Sequence, residues 1–79
     1  MRALKQARKL IEKDPSSKPS QALSKLVLSL ETDQAISLKE IYDLDYDTFQ
    51  LAMEVMRDWR IDRYYSSKVK LIDLSLQVH

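Results

Sequence analysis

Not one of the 79 residues in this chain is glycine. At an average usage of about 7%, a chain of this length would carry roughly five or six. Glycine is the residue that takes positive φ without steric cost. Without it, type I′ hairpins of the Asn-Gly kind and glycine-rich phosphate loops are unavailable. Helix C-termini that curl into the left-handed region must use Asp-like or Asn-like residues, or fray. The absence points to an all-α chain with open, polar turns, in one domain over residues 1–79.

The clearest helical pattern runs over about 45–65, and the expected fold is a compact array of four to five short helices packed around it. Stepping 100° per residue from Phe49 brings Ala52, Met53, Met56 and Trp59 to the same side. Tyr46 and Tyr64 flank that side, and Leu51 and Val55 widen it. An arc this wide suggests neighbours on two sides. Asp45 or Asp47 can cap the start, with Gln50 at the capping-box spacing from Asp47. Arg57, Arg60 and Arg63 suit its C-terminal end.

Around this helix the chain divides readily. A first helix over Arg2 to Lys13 puts Leu4, Ala7, Leu10 and Ile11 on one face and basic residues on the other. Two prolines and small polar residues make a turn of Asp14 to Pro19. A second helix starts at Ser17 or Ser20 and continues to about Thr32, with Ala22, Leu23, Leu26, Val27 and Leu30 as its buried stripe and Leu28 pointing away. Ser37 and Glu40 form a capping box for a short third helix to Asp43, with Ile36 and Ile41 as its hydrophobic staple. For Ser66 to His79 a helix using Val69, Ile72 and Leu76 is expected. A strand reading through Val69, Leu71, Leu74, Leu76 and Val78 would need a second copy as its partner.

Composition excludes several chemistries. There is no cysteine, and the one histidine is the last residue. Disulfides, thiolate metal sites, cysteine nucleophiles and histidine triads are therefore out of reach. No catalytic constellation is evident, so neither an enzyme nor a cofactor is expected. No apolar run is long enough to cross a bilayer, and the N-terminal Met-Arg-Ala-Leu-Lys-Gln-Ala-Arg-Lys lacks an apolar h-region. A cytoplasmic, soluble protein is the expectation. Residues 1–30 hold seven Lys/Arg against two acids, a net of +5, while residues 31–79 hold six against ten, a net of −4. Mutual attraction of the two halves within one domain is the expected consequence.

Two constellations stand out. Asp43, Asp45, Asp47 and Glu54 fall at positions 1, 3, 5 and 12 of a twelve-residue stretch. This resembles the EF-hand calcium loop, which implies oxygen ligation of calcium by those four residues. Thr48 stands where that loop needs a glycine, and Gln50 where it has a branched apolar residue. The same aspartates also serve as helix caps. The second constellation is basic and aromatic: Arg57, Arg60, Arg63, Tyr64, Tyr65 and Lys68, with Trp59 among them. Residues 38–65 read as a helix-turn-helix, but the second helix begins acidic, where phosphate would be repelled. The basic end could instead stack bases and hold phosphates, or contact a protein.

The leading functional expectation is a small non-catalytic module for protein interaction or assembly. Its partner is another protein or a second copy, because Leu28, the wide arc and the apolar C-terminal segment exceed what one copy can bury. Nucleic-acid binding through the basic-aromatic cluster is the alternative, and calcium binding a further one. No membrane and no small-molecule substrate is indicated.

Overall fold

The computed structural model describes residues 2–61 and 65–78, excepting the side chains of 61 and 65–68. It is all-α. Five helices are described: α1 (Arg2–Lys13), α2 (Lys18–Thr32), α3 (Leu38–Tyr42), α4 (Tyr46–Ile61) and α5 (Tyr65–Val78). The longest of these is α4, described over Tyr46–Ile61; positions 62–64 of the expected run lie outside the described residues. The C-terminal segment is helical, as favoured, and no strand occurs among the described residues.

α1 and α2 form an antiparallel hairpin whose turn is pinned by side chains. Ser17 is the N-cap of α2: its hydroxyl accepts from Ser20 N–H at 3.2 Å and donates to the Asp14 carbonyl at 2.9 Å. The buried Ser20 hydroxyl donates to the Leu10 carbonyl at 3.4 Å, tying the start of α2 to the end of α1. Pro19 sits in the first turn of α2, where its missing N–H costs nothing. At the other end Asp33 closes α2 in the left-handed region (φ 63°, ψ 22°), its N–H donating to the Ser29 carbonyl at 3.1 Å. It is the one described residue with positive φ. Aspartate here does the work that glycine usually does, as a glycine-free chain requires.

The hairpin carries the rest of the molecule. α5 packs against both α1 and α2, α4 packs against α1 and α2, and α3 bridges α2 and α4. Leu4, Ile11, Leu23, Val27, Val55 and Leu71 are fully buried at the centre. Ser24 of α2 and Ser75 of α5 are also fully buried, and neither hydroxyl has a hydrogen-bond partner among the described residues.

Several faces differ in phase from the periodicity. On α4 the buried row is Thr48, Ala52, Val55 and Trp59, while Phe49, Met53 and Met56 are half-buried. The inward face is therefore turned by about a quarter of a circle from the one centred on Phe49. On α5 the inward residues are Leu71 and Ser75, leaving Val69 and Leu76 exposed. Leu28 is buried (7% exposed) and Leu30 is open (37%), the reverse of expectation. α2 is enclosed on several sides by α1, α3, α4 and α5, so Leu28 finds cover off the main stripe. Leu30 lies in its last turn, beyond the core.

The capping box on α3 is not formed. Ser37 has the extended backbone of an N-cap but makes no side-chain capping bond. Glu40 reaches instead to Lys25 Nζ of α2 at 3.1 Å. The staple residues do serve the core: Ile41 is buried and Ile36 packs against the cluster.

Candidate interaction surface

α3 spans five residues, so it has room for one inward position. Ile41 takes it. Leu38 and Tyr42, one turn apart on the outer side, are 79% and 74% exposed. The chain then turns through Asp43 and Leu44, with Leu44 N–H donating to the Ile41 carbonyl at 3.2 Å. Asp45 opens α4. Its carboxylate accepts from Thr48 N–H at 3.1 Å, and its carbonyl accepts from Phe49 N–H at 2.8 Å. The Thr48 side chain first, and its N–H second, hold the Asp45 carboxyl below the ordinary aspartate value. Tyr46 is thereby placed in the first turn of α4, 79% exposed. The rings of Tyr42 and Phe49 meet edge-to-face, with centroids 6.3 Å apart.

The result is an apolar, aromatic surface across the α3–α4 elbow. Leu38, Tyr42 and Tyr46 are exposed, and Phe49 and Met53 continue the face along α4. Asp43, Asp45 and Asp47 are exposed beside it. Leu38 and Tyr42 escaped the sequence reading, which looked for spare apolar surface at Leu28, at the C-terminus and on the wide arc that Tyr46 flanks. The available signal was the length of α3, too short to hide three large apolar residues.

The acidic set does not converge. Among the described residues, no three acidic side chains come close enough to hold a metal ion. Asp45 acts as a cap, and α4 begins at Tyr46, so Phe49 to Glu54 are helical where a calcium loop would still be turning.

The basic-aromatic set is divided. Arg57 and Arg60 are exposed on α4, with Arg57 Nε 3.6 Å from Asp58. Trp59 is in the core, unavailable for stacking. Arg63 and Tyr64 lie outside the described residues. Tyr65 and Lys68 belong to the first turn of α5, their side chains outside what is described.

One ion pair joins the basic and acidic halves among the described residues, Lys25 to Glu40. Open clefts of about 350 and 340 Å³ lie on either side of that pair, between α2 and α3. Both are open to solvent; the first is edged by Lys18, Lys25, Glu40 and Asp43, and the second by Leu28, Ala35 and Ile36 beside the Lys25–Glu40 pair. No helix among the described residues is long and apolar enough to cross a membrane. No family model matches the chain, and neither the curated proteins nor the solved structures contain a significant match.

Proposed function

We propose that this chain is a small, non-catalytic helical module for protein interaction or assembly, and that the α3–α4 elbow is its contact surface. The observation that carries this reading is the clustering of Leu38, Tyr42 and Tyr46, three large side chains left in water beside the half-buried Phe49. Scattered apolar residues are normal on a surface, but a contiguous set on a domain this small marks a contact site. Tyrosine is also enriched at the energetic centres of interfaces.

A photo-crosslinking amino acid in place of Tyr42 tests the reading in cells that make the protein. A discrete adduct from position 42, absent from a control at Gln6 on the exposed side of α1, is the expected result. No adduct from position 42, or equal labelling from both positions, would overturn it.

Nucleic-acid binding keeps one observation in its favour, the exposure of Arg57 and Arg60. The burial of Trp59 and the three aspartates at the start of α4 count against it. Salt-sensitive retardation of DNA or RNA, weakened by Arg57→Ala with Arg60→Ala, would favour this second reading.

A further inference from the structure

The outer face of α4 is polarised along its length. Tyr46, Gln50, Met53, Arg57 and Arg60 follow one another at intervals of four, three, four and three residues, the spacing of a coiled-coil seam. None of the five is buried. Phe49 and Met56, both half-buried, widen the row. Acidic Asp43, Asp45 and Asp47 lie at its N-terminal end, and cationic Arg57 and Arg60 at the other.

Such a face complements itself in one orientation only. Laid parallel, two copies would set aspartates on aspartates and arginines on arginines. Laid antiparallel about Met53, the middle of the row, Tyr46 meets Arg60 of the second copy, and Phe49 meets Arg57. Each contact then sets a guanidinium beside an aromatic ring, with Asp47 close to the same Arg60. The two helix dipoles are opposed as well, which favours the same orientation. A two-fold contact needs one patch that serves as both donor and acceptor, and this row meets that condition.

Other occupants are less well matched. Anionic lipid or nucleic acid would face the three aspartates. The basic helix α1 of another copy has buried its own apolar side, Ala3, Leu4, Ala7 and Ile11, so it offers nothing for the tyrosines to pack on.

From this we infer that a second copy of the chain covers the α4 face, the two α4 helices packing antiparallel with the acidic-aromatic end of each against Arg57 and Arg60 of the other. The inference rests on the reading of the elbow as a contact surface and names its occupant.

Because the chain has no cysteine, single-cysteine variants report the geometry cleanly. Met53→Cys should oxidise to a covalent dimer at least about tenfold faster than Gln6→Cys, being beside the two-fold axis. In light scattering and sedimentation, Asp47→Arg and Arg60→Asp should each weaken dimerisation about tenfold, since each sets like charges together. Combined in one chain, the two should restore it, because the reversed charges meet across the axis. A dimer that ignores the charge reversals, or cross-linking no faster at position 53 than at 6, would overturn the antiparallel pairing. So would a strict monomer. If that monomer still gives a discrete adduct from position 42 with a different protein, the contact surface stands and the second copy falls. If position 42 is also silent, both readings fall.

Discussion

The α1–α2 hairpin and the α3–α4 elbow are built from similar residues and treat them in opposite ways. In the hairpin every large apolar side chain before Leu30 is covered or half-covered, and what remains in water on α1 is charged or amide-bearing. Its turn is held by side-chain bonds through Ser17 and Ser20. In the elbow a single residue of α3, Ile41, is anchored, and Leu38, Tyr42 and Tyr46 stay outside. The difference is one of length. Helices of twelve and fifteen residues have a full inward stripe and neighbours along it, whereas five residues make less than two turns. Apolar content in a short connecting helix is therefore surface, and it is free to be used for contact.

The largest expected effect contrasts the two regions directly. Leu23→Ala in the hairpin should cost roughly 2–5 kcal/mol, comparable to the few kcal/mol that a chain of this size possesses. Leu38→Ser on the elbow should change stability by less than about 0.5 kcal/mol. Urea unfolding measured at one low concentration compares them. A Leu38→Ser variant as unstable as Leu23→Ala would abolish the distinction.

The caps sharpen it. Removing the Ser17 hydroxyl with Ser17→Ala should cost about 1 kcal/mol, because the start of α2 loses its acceptor for Ser20 N–H. Ser37→Ala should be close to neutral, since that hydroxyl makes no capping bond. Equal losses in the thermal midpoint would mean that Ser37 caps α3 after all.

Asp33 marks the border between the two regions, and Asp33→Gly should stabilise the chain by roughly 0.5–1 kcal/mol. The substitution relieves a left-handed non-glycine residue and removes a negative charge from the C-terminal end of α2. A lower midpoint would show that the aspartate side chain contributes more to this turn than its backbone costs.

The smallest effect concerns pH. Asp45 is held below its ordinary value of 3.8 by Thr48, so its contribution is present above 3.8 and is lost as pH falls through the lower folded-state value. Asp45→Asn keeps an N-cap that does not titrate. The midpoint of the parent relative to Asp45→Asn should therefore drop on acidification through that window. A constant difference would remove the proposed role of the Thr48 bonds.

Much of this was legible in the residues. The prolines and serines at 15–20 mark the hairpin turn, and Ser17, one of the two starts that the pattern left open with Ser20, caps α2. Ile41 reads as an anchor, Ile11 and Leu23 as core. Less legible were Glu40, which left the expected capping box for Lys25, and Leu28, which is covered by a packing that its own helix does not reveal.

By itself the sequence determined the material of this protein: helices throughout, polar turns, and an aspartate where glycine would close α2. The reason is local, since backbone freedom and capping depend on residues within a few positions of one another. Only the tertiary structure decided which side of α4 and α5 turns inward. Periodicity says that Phe49, Met53 and Met56 share a face with Tyr46, but not which part of so wide an arc a neighbour will cover. α1 and α2 cover the row of Thr48, Ala52, Val55 and Trp59, and that choice leaves the aromatic and arginine row of α4 open to another molecule.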